Sequence, residues 1–189
     1  MLATFPSYIE ALKNFYEASP SDELKIRALH LSYVMRAFAG IRGHDELADG
    51  WASAGLLYHP YSEGILSSDA LRKAGANEGF FHLLPLKELP AMPSSPTVSQ
   101  ELACLLPTAA ALVLLITETM HAQNTAPKDL KVSAIQKRFS DKSFKPEINR
   151  KLIKNGSQQL HWEIGNFTSK AIAAIRDNAS AIKADMKKK

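Results

Sequence analysis

The sequence contains a single cysteine, Cys104, among its 189 residues. One cysteine excludes an intramolecular disulfide, and its position in the most apolar stretch indicates a buried structural thiol. The N-terminal residues lack a basic segment followed by an apolar one, so no signal peptide is predicted and a cytoplasmic location is expected. No stretch shows the period-two alternation that is typical of half-buried strands. These absences favour an all-helical cytoplasmic domain.

Several catalytic signatures are also missing. The sequence has no glycine-rich loop that could cradle phosphates and no GxSxG turn that could present a nucleophilic serine. Cys104 lacks the sequence context of a catalytic nucleophile. Nucleotide binding through a glycine-rich loop and the common forms of nucleophilic catalysis are therefore not indicated.

Charge is absent from the run 102–116, where Thr108 is the only polar side chain. A helix that is apolar on all sides must be buried on all sides. Pro107 interrupts the run and glutamates bound it, so we expect it to be too short to span a bilayer, which requires roughly 20 apolar residues. The run predicts a buried central helix, about 98–120, in a soluble domain without membrane contact.

Apolar residues at helical spacing predict further helices on both sides of the central one. The predicted segments are about 6–18, 22–40, 45–57, 69–75, 78–84, 131–139, 147–155 and 157–180. Residues 59–64 are expected to form a loop, because Pro60 and Gly64 disfavour a helix. Gly156 is expected to end one helix, and Ser157 is expected to cap the last.

No repeat or shift in composition divides the chain. We therefore predict one all-α domain, 1–189, whose core covers about 6–180. The basic tail, 183–189, is expected to be solvated and frayed. Nothing in the sequence specifies an oligomeric state.

Three segments occur in an order and spacing typical of a known family. They are VMRAFAG at 34–40, ASAGLLYHPYSEG at 52–64 and DLKVSAIQKRFSDKSFKPEINRKLI at 129–153. They resemble small proteins of the HD superfamily, which are metal-dependent phosphohydrolases. The second of these segments resembles an AGLLHD-like motif of that family, in which the adjacent His and Asp bind metal. The resemblance covers about 24–175 and implies an HD-like helical bundle.

The resemblance places the family's metal ligands on Arg27, Tyr58, His59 and about Ala109. Divalent metals at such sites need carboxylates and neutral imidazoles. A guanidinium is always protonated and cannot bind a metal, and an alanine offers no ligand atom. We therefore expect a degenerate phosphohydrolase, or pseudoenzyme, that binds neither a divalent metal nor another cofactor.

Two interpretations of these positions stay open. In the first, the inactive site has drifted, and Arg27 pairs with Asp22, Glu23 or another acid, because an unpaired buried arginine is costly. In the second, Arg27 replaces the positive charge of the metal and, with Tyr58 and His59, binds a phosphate-containing or carboxylate small molecule. A role as an interaction module is compatible with either interpretation.

An enzyme with a metal-independent or relocated site is an alternative from another class. An imidazole and a carboxylate are sufficient for general acid–base catalysis when they converge. The candidates, which follow the altered motif, are His59, His82, Glu63 and Glu78. The literal pair His44-Asp45 lies too early in the chain for the family motif and is expected to start a helix at the surface.

Positive charge is concentrated in 128–154, where nine Lys or Arg face three acids and give a net charge of +6, against +4 for the whole chain. Such a basic segment could bind nucleic acid, which we rank third among the functions. Phe139 and Phe144 are expected to anchor the segment on the core. A solvated basic face is the preferred interpretation.

Overall fold

A computed structural model describes residues 3–83 and 89–188, and these form helices without a strand among them. The all-α prediction is confirmed. The helices are α1 (Tyr8–Glu17), α2 (Asp22–Ile41), α3 (Ala48–Ser62), α4 (Ser68–Lys73), α5 (Glu78–Phe81), α6 (Val98–Gln123), α7 (Val132–Ser140), α8 (Arg150–Gln159), α9 (Ile164–Asp177) and α10 (Ala179–Asp185). The helix predicted at 78–84 ends at Phe81, and its last predicted residue lies outside the described ranges.

Helix α6 is buried along most of its length, as the charge-free run predicts. Thr97 caps its N-terminus in a capping box with Gln100, and Pro107 lies inside the helix without ending it. The helix has 26 residues, which is longer than predicted. It is the one helix of the described part that is long and apolar enough to cross a membrane, and 83% of its most apolar window is buried inside the domain.

Helices α2 and α3 form a closely packed pair that α6 crosses. Gly55 of α3 faces the backbone of α2, where a side chain at this position would place its Cβ 2.8 Å from the carbonyl oxygen of Leu31. The hydroxyl of Ser32 donates to the carbonyl of Ala52 at 2.9 Å and adds a polar contact to the same interface. The absence of a side chain at Gly55 therefore sets how closely the two helices approach.

The predicted loop at 59–64 is wrong, because α3 continues through Pro60 to Ser62. Residues 51–60 are all buried, so packing outweighs the local preference of proline against a helix. The carbonyl of Pro60 accepts the amide of Ile65 at 2.9 Å, and Gly64 turns the chain with a φ of 74°. The helix thus ends in a Schellman motif.

The predicted boundary at Gly156 is also wrong, since α8 continues to Gln159. Gly156 faces α6 so closely that an added Cβ would lie 1.9 Å from Oγ1 of Thr108. This glycine permits a close approach of two helices and does not end one. Ser157 is buried within α8, and α9 begins at Ile164 without a side-chain cap.

The basic tail is solvated as expected at Lys183, Ala184, Lys187 and Lys188, which are exposed, but it is helical as far as Asp185. Helix α10 extends to Asp185, whose side chain is buried. Its carboxylate accepts the hydroxyl of Tyr33 at 2.9 Å and contacts Nζ of Lys188 at 2.6 Å. The end of the chain is therefore attached to α2 by a buried carboxylate, a contact between residues far apart in the sequence.

We expect Gly55→Ala to lower the free energy of unfolding by about 1–3 kcal/mol, because the added methyl group would force α2 and α3 apart. Gly165→Ala is a matched control in α9, where the nearest atom is the flexible Nε2 of Gln136 at 3.2 Å. That substitution should be neutral or stabilise the protein by up to about 1 kcal/mol. Urea unfolding measures both effects, and equal destabilisation by the two substitutions would contradict the proposed constraint.

Candidate functional site

Arg27 on α2 and His59 on α3 lie at the positions that the resemblance assigns to metal ligands. Nη2 of Arg27 is 3.2 Å from Oε1 of Glu63, which caps the C-terminus of α3. The partner of Arg27 is therefore Glu63, 36 residues away in the chain, and neither Asp22 nor Glu23. The arginine side chain is 18% exposed and the glutamate side chain 38%, so the ion pair lies at the edge of the core.

His59 is neutral at physiological pH. Burial, and to a smaller extent the positive charge of Arg27, lowers its pKa to about 4. Its Nε2 is buried without a hydrogen-bond partner among the described residues, and so is Nε of Arg27. Buried polar nitrogens usually have a partner. Both nitrogens are also closed to solvent, so an oxygen ligand would reach them only if a neighbouring side chain such as Glu63 moved aside.

Tyr58 and Ala109 complete the set of positions. The Tyr58 ring packs edge-on against that of His59 with centroids 5.3 Å apart, and burial raises the pKa of Tyr58 to about 12. Ala109 is fully buried on α6, which packs against both α2 and α3. Tyr58 therefore adds a neutral ring to the site. Ala109 does not reach it, because α6 runs antiparallel to α2, with Glu101 beside Arg42 and Thr117 beside His30, which places Ala109 opposite the middle of α2.

These side chains do not fit a divalent metal. His59 is the one imidazole of the set, and Arg27 brings a fixed positive charge beside it. Electrostatic repulsion from a guanidinium opposes a metal cation. Among the residues that the structure describes, no group of three or more His, Cys, Asp or Glu side chains could hold a metal ion.

The structure does not unite the four candidates for a relocated catalytic site. Glu78 pairs with Arg72 at 2.7 Å, and His82 is exposed at the end of α5. Glu63 contacts Arg27. Within the described ranges the hydrogen bonds between these residues are backbone ones, from Glu63 to His59 and from His82 to Glu78. No side-chain hydrogen bond joins either glutamate to either histidine there, so an acid–base pair of the predicted kind is not formed in this conformation.

A second polar site lies where the sequence was interpreted as core. His30 on α2 is 2% exposed, and its Nδ1 is 2.9 Å from Oγ1 of Thr117 on α6. These residues line a cleft of about 850 Å³, together with Glu118 of α6 and Lys145 of the α7–α8 loop. The sequence offered two signals for this site: a histidine within the apolar stripe of α2, and a glutamate at the end of the apolar run of α6. Only the fold shows that they meet.

The basic segment 128–154 is partly used for structure. The guanidinium of Arg150 donates to six backbone carbonyls, those of Arg138, Phe139, Asp141, Phe144, Lys145 and Ile148. Nζ of Lys145 pairs with Oε2 of Glu118 at 2.7 Å. Phe139 and Phe144 pack against the core, as expected for anchors. Arg138 pairs with Asp141 at 3.6 Å, and six exposed lysines, 128, 131, 137, 142, 151 and 154, supply the remaining positive charge.

The pair His44-Asp45 starts a short 3-10 turn, Asp45–Leu47, as expected, but His44 is only 19% exposed. Its Nε2 lies 2.8 Å from Oε2 of Glu101, the first-turn acid of α6, and Arg42 contacts the other oxygen. Burial opposes ionisation of Glu101, but the hydrogen bonds from Arg42 and His44 outweigh it and hold its pKa below the usual value. This cluster joins the end of α2 to the start of α6.

Compared with known proteins, the chain matches no family model, and no curated protein or solved structure is significantly similar to it. The resemblance to the HD superfamily therefore stays a prediction, carried by the segments at 34–40, 52–64 and 129–153.

Acid should destabilise the protein through its buried histidines. Their pKa is about 6.5 in an unfolded chain and about 4 in the folded one, so the unfolded state binds more protons between these values. The stabilising contribution of each neutral ring is complete above pH 6.5 and is lost as the pH falls towards 4. We expect His59→Gln to reduce the slope of stability against pH by up to about 1.4 kcal/mol per unit in this window.

Urea unfolding at pH 7, 6 and 5 measures that slope. His30→Gln should reduce it in the same way, because burial alone lowers the pKa of His30 to about 4. The double variant should have the smallest slope. A slope that neither substitution changes would show that these rings bind protons equally in the folded and unfolded states.

Arg150 should be needed for the conformation of the α7–α8 loop. Lysine keeps the charge but cannot reproduce a planar fork of donors, so we expect Arg150→Lys to lower the free energy of unfolding by about 2 kcal/mol or more. Arg176→Lys is the control, because Arg176 pairs only with exposed Asp177 and should change stability by less than about 0.5 kcal/mol. Equal effects of the two substitutions would contradict this role.

Proposed function

We propose that this protein is a non-catalytic, HD-like binding domain that takes a small phosphate or carboxylate compound at Arg27 and His59. The observation that carries the proposal is the placement of a guanidinium beside a buried neutral imidazole, with one nitrogen of each lacking a partner. In the family that the sequence resembles, these positions hold metal ligands. Here a fixed cation would replace the metal as the group that attracts an oxyanion.

The chemistry of the two side chains suits an oxyanion. A guanidinium presents several N–H donors in a planar fork that matches phosphate and carboxylate oxygens. A neutral imidazole donates one further hydrogen bond when the proton is on Nε2. Because the site is largely buried, such charge-assisted bonds are stronger than at an exposed surface.

Glu63 competes with the ligand in this proposal. Its carboxylate contacts the guanidinium at 3.2 Å and is more exposed than the arginine. An incoming anion would therefore displace Glu63 to solvent and take its place on Arg27. This exchange gives the two members of the ion pair opposite effects on ligand affinity.

The test is titration with inorganic phosphate at low ionic strength, followed by ¹H–¹⁵N NMR and by thermal unfolding. Arg27→Gln should weaken binding about tenfold or more, since a charge-assisted hydrogen bond is worth about 1.5–3 kcal/mol. Glu63→Gln should strengthen binding, because the competing carboxylate is gone. If the substitutions acted only by breaking the ion pair, both would change the phosphate affinity in the same direction.

Arg36→Gln is the matched control. Arg36 is also on α2, pairs with Asp49 at 3.0 Å and has a buried Nε without a partner among the described residues, but it lies beside Tyr8 and Tyr33. Its substitution should leave phosphate binding unchanged. Equal weakening by the Arg27 and Arg36 substitutions would contradict the assigned site, and a stoichiometric divalent metal in the purified protein would contradict the pseudoenzyme proposal itself.

A further inference from the structure

The cleft between α2 and α6 is a second candidate binding site, separate from Arg27 and His59. It has a volume of about 850 Å³ and lies between the N-terminal half of α2 and the C-terminal end of α6. Ile26, Met120 and Met186 supply apolar surface to it, while His30, Thr117 and Glu118 supply polar groups. A cleft of this size, mostly apolar with a few polar side chains, is typical of small-molecule sites.

The charges in the cleft favour a cation. Its Asp, Glu, Lys and Arg side chains are three carboxylates, Asp22, Glu23 and Glu118, and one ammonium, Lys145. The C-terminal end of α6 adds the partial negative charge of its last carbonyls. Lys25, outside the cleft, pairs with Asp22 at 3.2 Å, which leaves an excess of one carboxylate over the two ammonium groups.

Lys145 shows that the cleft accommodates an alkylammonium group. Its Nζ lies 2.7 Å from Oε2 of Glu118, a residue that is only 8% exposed. The hydrogen bond and charge of Glu118 raise the pKa of Lys145, with smaller contributions from Glu147 and Glu23. A buried carboxylate that already binds the ammonium of a side chain can bind that of a ligand.

His30 is a second and independent indication of a ligand. Its ring is buried, and its pKa of about 4 keeps it neutral at pH 7. Nδ1 contacts Thr117, and among the described residues Nε2 has no hydrogen-bond partner. When Nδ1 carries the proton, Nε2 offers a lone pair to an N–H donor in the cleft.

Thr117 is compatible with this tautomer. The hydroxyls of Thr108 and Thr119 donate to carbonyls one turn earlier in α6, whereas the recorded contact of Thr117 is with His30. The Thr117 hydroxyl can therefore accept a hydrogen bond from Nδ1–H and orient the ring. A buried histidine is then held with its free nitrogen available to the cleft.

The arrangement suits an organic cation better than a metal ion. Within the described ranges no three His, Cys, Asp or Glu side chains are close enough to hold a metal. The carboxylates are instead distributed along a cleft that has apolar walls. We propose that this cleft binds an alkylammonium compound, with its ammonium between Glu118 and His30 and its carbon chain against Ile26, Met120 and Met186.

The test uses 1,4-diaminobutane as the probe, titrated into the full chain by calorimetry at pH 7 and low ionic strength. 1,4-Butanediol, an uncharged molecule of the same carbon number, is the control ligand. We expect the diamine to bind at least tenfold more tightly than the diol. NMR of the His30 ring, which should respond to the diamine, locates the binding.

Two substitutions separate the proposal from a loss of stability. Glu118→Gln and Lys145→Gln remove the same ion pair, so a merely structural effect would act in the same direction in both. The proposal requires opposite directions. Glu118→Gln should weaken diamine binding about tenfold or more, and Lys145→Gln, which removes the competing ammonium, should strengthen it severalfold.

Three results would overturn the proposal: diamine binding no tighter than 1,4-butanediol binding, diamine affinity unchanged by Glu118→Gln, or diamine affinity reduced by Lys145→Gln. If Glu118→Gln does not fold, the Lys145→Gln result decides the question alone. Phosphate binding at Arg27 is measured with a different probe and different variants. Failure at one site is therefore distinguishable from failure at the other.

Discussion

The burial of α6 is the constraint on which the rest of the structure depends. A helix without a polar face needs apolar cover on every side, and α2, α3, α7, α8 and α9 all pack against it. Its carboxylates are confined to the ends, where Glu101 meets Arg42 and His44, and Glu118 meets Lys145. Each buried acid has a cationic partner from another segment, as burial of a charge requires. The segments that pack around α6 thus also determine where the polar sites lie.

The interior keeps its histidines neutral and its charges paired. His30 and His59 are buried, and desolvation lowers the pKa of both. Neutral imidazoles are compatible with an apolar core, and they can act as hydrogen-bond donors or acceptors without a net charge. The two proposed sites use this property differently. At His59 the neighbouring charge is the cation Arg27, whereas His30 shares its cleft with the anion Glu118, so the expected ligands have opposite charge.

Local sequence patterns predicted the helices well, and the errors occurred where distant contacts override local preference. Pro60 stays in a helix because its whole surrounding stretch is buried, and Gly156 lies within a helix because Thr108 is directly opposite. The buried carboxylate of Asp185 attaches the basic tail to Tyr33, although the lysines of that tail predicted a frayed segment. In each case the deciding partner is dozens of residues away or more, a distance over which helical periodicity carries no information.

The sequence by itself determined the helical class and the buried central helix. Those features follow from residue type and from spacing within a few turns. Only the tertiary structure decided that Arg27 pairs with Glu63 and that His30, Glu118 and Lys145 share a cleft. Ion pairs and clefts depend on which helix faces meet, and many arrangements of the same helices would bury the same apolar stripes. The meeting of charges from distant segments is therefore a property of the packed fold.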